Sequence, residues 1–279
     1  MSNDILGEVR RLLPTLSNSE KRVANAVLEE PDKMIYWSVN DLGERAKVGD
    51  ATVLRFCRKL GLSGYQEFKL LVAQGLPADS QDDEAGQERQ EHAALHKIKE
   101  TNMLAVKDTT DFLNVADLTR AAELIARARK VHFYGVGASG LTAADAKLRF
   151  MRIGIACDYM PDPHIQVMDA SLLMPEDVAF GITYSGSTKD MLEIMKTAKE
   201  AGASTIVLTS HNRSPIIEFS DIALCTSAKE TPLLGGAFVT KIAQIHLLDL
   251  LFNAVIDLAK DKAEESARQT AKAVLRKLF

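Results

Sequence analysis

Hydrophobic positions change their period once along the chain. Up to about residue 75 they recur at helical spacing. Ser17 and Glu20 form a capping-box pattern, and Val23, Ala24, Val27 and Leu28 continue one helical face that Pro31 stops. Ser38 and Asp41 repeat the pattern ahead of Val39, Leu42 and Ala46. Residues 47–50 break the period. Val53, Phe56, Cys57 and Leu60 then hold the i, i+3, i+4 and i+7 positions, and Gly61 ends that segment. A further helix is expected from Tyr65 to Gln74.

Residues 77–91 are polar and acidic, with no aliphatic side chain larger than alanine, and read as a linker. Helical patterns over about 93–113 and 116–129 follow. Short apolar runs at 131–134, 178–184, 205–208 and 222–225 then alternate with helical patterns such as Met191, Ile194, Met195 and Ala198. A long apolar helix is expected over about 239–259. Strands alternating with helices imply right-handed βαβ units and a mostly parallel sheet. The expected division is an all-α domain over 1–76, a linker and connecting helix over 77–114, and an α/β domain with C-terminal helices over 115–279.

Composition narrows the class. The chain has 279 residues, 46% hydrophobic and 26% charged, values ordinary for two modest globular domains. No run approaches the 18 or so apolar residues of a membrane-spanning helix, and the polar N-terminus lacks the apolar core of a signal peptide, so a cytoplasmic protein is expected. Cys57, Cys157 and Cys225 lie far apart in apolar surroundings, which excludes a disulfide framework and a CxxC metal clip. Free thiols, no metal and no cofactor are expected. The net charge of -4 argues against indiscriminate nucleic-acid binding but leaves room for a local basic patch.

Such a patch occurs. Residues 45–69 hold six Lys/Arg against two Asp/Glu. Two short helices joined by a tight turn describe a helix-turn-helix. On the second, about 50–60, Thr52, Arg55, Arg58 and Lys59 lie opposite the apolar face, and a major groove admits one such helix. The alternative is a solvated face on an all-helical cap. Residues 52–61 (TVLRFCRKLG) with 64–69 (GYQEFK) resemble the N-terminal domain of RpiR-type bacterial transcriptional regulators. The resemblance covers about 1–75 and implies operator DNA as partner, with Tyr65 and Lys69 added to the contact set. The helix opens with Gly49-Asp50-Ala51 where the family usually has a Ser-containing cap; Gly or Asp can serve there, while Asp50 is unfavourable beside phosphate.

Two Gly-rich loops carry the second chemistry. Residues 135–140 (GVGASG) match G-x-G-x-x-G after a strand, and Asp158 lies 18 residues past Gly140, so an NAD(H)-sensing repressor is one alternative. A second loop, Ser185, Gly186, Ser187 and Thr188, also follows a strand and opens a helix. Hydroxyls and backbone N–H groups at a helix N-terminus suit a phosphate monoester, although the same serines can simply cap helices. The order of the two loops resembles the sugar isomerase (SIS) domain, over about 115–260. That resemblance implies an αβα sandwich on a five-stranded parallel sheet and a phosphosugar ligand. It assigns the phosphate to Ser185, Ser187 and Thr188, with Gly186 in their loop and Gly137 and Ser139 from the first. Helix-turn-helix followed by SIS is the RpiR architecture.

Some SIS proteins are isomerases, using a carboxylate with a His or Lys near the sugar. Glu230, His164 and Lys241 stand where such groups, or simple hydroxyl-binding groups, are expected. An isomerase has no need of a DNA reader, so a non-enzymatic sensor is expected, with the isomerase as the other alternative. The small residues of 231–238 (TPLLGGAF) leave room for an N-acetyl or lactyl group. This points to N-acetylmannosamine 6-phosphate or N-acetylmuramic acid 6-phosphate as effector of a repressor. The apolar helix 239–259 is buried on several sides, within one subunit or in a homodimer or higher homo-oligomer that pairs two readers on a palindromic operator.

Overall fold

The computed structural model describes residues 4–76, 87–228 and 238–275, the side chains of 87–94 excepted. The chain divides into two compact units, one reaching Lys99 and the other beginning at Glu100.

The first unit is helical: α1 (Ile5–Leu12), α2 (Asn18–Glu29), α3 (Pro31–Met34), α4 (Val39–Arg45), α5 (Asp50–Lys59) and α6 (Tyr65–Gly75). Both expected capping boxes form. Ser17 N donates to Glu20 Oε2 at 2.8 Å while Glu20 N donates to Ser17 Oγ at 3.4 Å. Ser38 N donates to Asp41 Oδ2 at 2.7 Å, and Asp41 N to Ser38 Oγ at 3.1 Å. Each box satisfies donors that a helix start otherwise leaves unpaired. Val9, Val23, Val27, Leu42, Val53, Phe56, Phe68 and Val72 are fully buried in one apolar cluster. The turn from α4 to α5 presses on Gly43, where a Cβ would lie 2.9 Å from the Val48 carbonyl oxygen. The left-handed residue of this turn is Lys47, at φ 53°, and Gly49 instead caps α5.

The second unit contains α7 (Gln87–Asp111, shared across the division), α8 (Val115–Arg127), β1 (Val131–Gly135), α9 (Ala138–Arg152), β2 (Cys157–Tyr159), α10 (Pro163–Ala170), β3 (Val178–Ile182), α11 (Lys189–Glu200), β4 (Ser204–Thr209), β5 (Ile222–Cys225), α12 (Phe238–Leu258) and α13 (Lys260–Leu275). The five strands are parallel in the order β2-β1-β3-β4-β5. Residues of β1, β3 and β4 are almost all buried, as parallel strands covered on both faces must be. Val131 and Phe133 pack with α8, α9 and α12, and Tyr134 packs with α10 and α11 on the opposite face. The fold is the αβα sandwich expected.

The apolar pattern of helix α12 is interrupted by Lys241, Gln244, His246, Asp249, Asn253 and Asp257, so it holds no uninterrupted apolar run of 18 residues. Its 21 residues, with a mean hydropathy of 1.4, are long and apolar enough to cross a bilayer. The cause is burial in the protein: Leu247, Leu248, Leu251 and Val255 belong to the core, and buried Gln244 accepts a hydrogen bond from Thr142 Oγ1 at 2.9 Å. Asp249, Asn253 and Asp257 lie on its exposed side. The three cysteines are free, Cys57 buried and the other two half-buried.

Candidate functional site

The sheet order creates a crevice. From β1 the chain crosses to β2 on one side, and from β3 it crosses to β4 on the other. Where connections diverge from adjacent strands, the carboxyl ends of those strands leave a cleft that no connection covers. Gly135, the last residue of β1, pairs in register with Ile182, the last of β3. The loops that follow, 136–140 and 183–188, therefore leave the sheet side by side.

In the first loop Gly137 (φ +60°) precedes α9 without a side-chain cap, and Ser139 is half-buried in the first turn. In the second, Thr188 is the N-cap residue of α11 but makes no side-chain cap bond. Ser185 Oγ accepts from Ser187 N at 3.3 Å, and Ser187 Oγ donates to the Ser185 carbonyl at 3.2 Å. Gly186 N donates to Thr183 Oγ1 at 3.3 Å. Gly186 has φ +60°, and a Cβ there would lie 2.0 Å from Ser214 Oγ, so this position needs glycine on both counts. Two helix starts with weakly engaged hydroxyls thus flank one crevice, an arrangement suited to an anion.

Lys241, from the first turn of α12, reaches the first loop: its Nζ donates to the Ala138 carbonyl at 2.9 Å. Burial lowers its pKa from the usual lysine value. His164 is exposed near the start of α10. Glu230 and the segment 231–237 lie outside the described residues.

Gln166, which no pattern in the sequence singles out, is fully buried. Its Oε1 accepts from Gly135 N at 3.2 Å, and its Nε2 donates to the carbonyls of Gly135 at 3.0 Å and Met160 at 2.6 Å. One turn later Asp169 accepts from Tyr134 at 2.8 Å and pairs with His132 Nδ1 at 2.7 Å. Burial opposes ionisation of Asp169, but the bonds from His132 and Tyr134 outweigh it and hold the carboxyl below its ordinary pKa.

Asp158, the acid of the dinucleotide alternative, pairs in register with His132, three residues before the end of β1. Its carboxylate lies 3.3 Å from Lys130 Nζ and accepts from Tyr159 N at 2.8 Å. It lies one residue before the end of β2 but three residues below the level of Gly135, whereas a ribose-binding acid is needed beside the first Gly-rich loop.

On the helical unit, Arg55 and Arg58 are exposed on α5 and Thr52 is half-buried. Lys59 is drawn toward α2, with Nζ 3.1 Å from Glu20 Oε2 and 3.2 Å from the Thr15 carbonyl, and Arg55 Nε lies 3.5 Å from Glu20 Oε1. Glu20 is held down to about 2 in pKa, chiefly by the Ser17 backbone and hydroxyl bonds and then by Lys59. Asp50 occupies the first turn of α5, where burial raises its pKa.

Tyr65 and Lys69 require correction as DNA contacts. They are 4% and 6% exposed, and Tyr65 donates to the Trp37 carbonyl at 3.2 Å. Tyr65, Phe68, Lys69 and Val72 form the inward face of α6. That i, i+3, i+4, i+7 spacing was visible in the sequence.

Comparison with known proteins bears on both units. The family model described as "Helix-turn-helix domain, rpiR family" matches residues 3–79, and that described as "SIS domain" matches residues 124–254. An HTH-type transcriptional regulator of Caldanaerobacter subterraneus, itself uncharacterized, is 41% identical over 89% of this chain and 89% of its own. The HTH-type transcriptional regulator RpiR of Escherichia coli is 31% identical over 91% of this chain and 87% of its own. Among solved structures, the Vibrio vulnificus NanR protein complexed with ManNAc-6P is similar, with a TM-score of 0.89, 26% identity and 99% coverage of both chains. The chain belongs to the RpiR family of helix-turn-helix transcriptional regulators, with a C-terminal SIS domain.

Proposed function

We propose that the chain is a repressor whose operator affinity is set by an N-acetylated amino sugar 6-phosphate bound in the SIS unit. The observation that carries this reading is the register of Gly135 with Ile182, which sets the two loops together at the crevice of the sheet. Ser139, Ser185, Ser187 and Thr188, with backbone N–H groups at the starts of α9 and α11, hold the phosphate. Gly137 and Gly186 give the loops their shape. Lys241 supplies positive charge, and we assign hydroxyl-binding roles to His164 and, from its place in the sequence alone, to Glu230. Thr188 makes no side-chain cap on α11, which counts against capping as the whole purpose of the hydroxyls in the second loop. The position of Asp158 disfavours a dinucleotide.

The NanR relative was solved with ManNAc-6P, which favours N-acetylmannosamine 6-phosphate here. Arg55 and Arg58 read base edges, Thr52 and Lys59 contact the backbone phosphates, and a homodimer in the cytoplasm presents two readers to a palindromic site. The functional divisions are 1–76 for DNA, 77–114 for the connection and 115–279 for the effector. The pocket senses and does not catalyse.

Calorimetric titration with a panel of sugar monophosphates tests the reading. N-acetylmannosamine 6-phosphate should bind unchanged, and NADH should not bind. Ligand hydrogen bonds to a charged group contribute about 1.5–3 kcal/mol each, so Ser187→Ala should weaken binding about tenfold or more. NADH binding without phosphosugar binding, or isomerisation of a sugar phosphate at an enzymatic rate, would replace it.

A further inference from the structure

The outer edge of β1 poses a backbone problem. Val131 N donates to the Ala156 carbonyl, on the β2 side. The two-residue repeat of a strand turns Phe133 and Gly135 to that same side. Strand β2 ends at Tyr159, which pairs with Phe133. Gly135 therefore has no strand partner on that side, at the point where the first Gly-rich loop begins. The Gln166 side chain takes the place of the missing strand, accepting from Gly135 N and donating to Gly135 O. Its second amide hydrogen fixes the Met160 carbonyl, in the segment that leads to His164.

We infer that Gln166 is a positioning residue of the effector site, fixing the departure of the 136–140 loop and the approach of the His164 segment through one buried amide. The inference rests on the sensor reading above and adds a residue that touches no ligand. Its physical content is geometric. A primary amide has two donors and an acceptor, and here all three are engaged by main-chain groups of the two segments. Losing the amide leaves buried main-chain groups unpaired, and the segments must shift to find partners.

Two variants of the full chain separate positioning from simple packing. Gln166→Met keeps the length and loses every hydrogen bond. Gln166→Glu keeps an acceptor but loses both donors while ionised. A protonated carboxyl regains one donor, and burial favours that neutral form. The measurement is the Kd of N-acetylmannosamine 6-phosphate, as a ratio to the unaltered chain at each pH, which cancels titration of the phosphate itself. At about pH 8 both variants should bind about tenfold or more weakly. At about pH 6 Gln166→Glu should recover to within about threefold, while Gln166→Met should not. Loss of packing alone lowers the melting temperature but leaves Kd of the folded protein without this pH-dependent recovery. Should Gln166→Met fail to fold, the Gln166→Glu ratio at the two pH values decides.

Unaltered affinity in both variants, or a loss in Gln166→Glu that is the same at both pH values, overturns the inference while the sensor reading stands. Failure of the unaltered chain to bind any sugar monophosphate overturns the sensor reading, and the inference with it.

Discussion

Replacing Gly186 with alanine perturbs the phosphate loop in a way whose magnitude follows from local geometry. The residue has φ +60°, and its added Cβ would lie 2.0 Å from Ser214 Oγ, 2.5 Å from Ser214 Cβ and 3.0 Å from Ile216 Cγ2. Ser214 is 3% exposed, and its hydroxyl donates to the His211 carbonyl at 2.7 Å, so it has little room to turn away. A left-handed conformation costs an L-residue about 1–2 kcal/mol. Overpacking a rigid site costs about 1–3 kcal/mol more. Gly186→Ala should therefore destabilise the second unit by about 2–5 kcal/mol, well within reach of urea unfolding followed by circular dichroism. The single tryptophan, Trp37, belongs to the helical unit and reports on it separately. Ser214→Gly alone should cost about 1 kcal/mol for its lost hydrogen bond. The double variant removes the clash, so it should be more stable than the sum of the two singles by about 1–2 kcal/mol. Additive effects, or a Gly186→Ala protein as stable as the unaltered one, would refute the steric reasoning.

Three further outcomes are expected. Arg58→Ala should cost about 1–3 kcal/mol at a mapped operator if its guanidinium reads a base, measured by fluorescence anisotropy at fixed salt. Tyr65→Phe should leave operator affinity unchanged and lower stability by about 1 kcal/mol, since its hydroxyl serves the Trp37 carbonyl; weaker DNA binding at unchanged stability would restore it as a contact. The folded-state pKa of Glu20 is about 2, against an ordinary 4.5, so its stabilisation is present above 4.5 and is lost as pH falls toward 2. Acid unfolding of the helical unit, followed by Trp37 fluorescence, should lose this component in Glu20→Gln, and an identical acid profile would show that the carboxylate contributes nothing.

Much of the architecture was legible because it rests on local rules. The two capping boxes, the apolar stripe of α5 and the strand-to-loop transitions at 135 and 185 are all short-range patterns. Strand β2 is legible only as a strand end near Asp158, since Cys157, Asp158 and Tyr159 form a three-residue edge strand of intermediate burial with no run of apolar residues. Lys47 carries no sign of its positive φ; the turn imposes it, and the neighbouring Gly49 draws attention from it. Tyr65 and Lys69 enter the contact set with the resemblance, although their spacing with Phe68 and Val72 places them inward. Gln166 was invisible for a different reason. Its partner Gly135 lies 31 residues away, and what it recognises is main chain, which leaves no paired side chain for a sequence to display.

The coupling of the two units is the central claim, and operator release measures it directly. A labelled operator held by the full chain should be titrated with N-acetylmannosamine 6-phosphate while anisotropy is followed. An effector acts only through its differential affinity for the DNA-competent state, and such couplings typically change affinity about 5–150-fold. The expected result is a rise of that order in the operator Kd, absent with NADH and abolished by Ser187→Ala. An operator affinity indifferent to every sugar monophosphate, or one that responds to NADH alone, would contradict it.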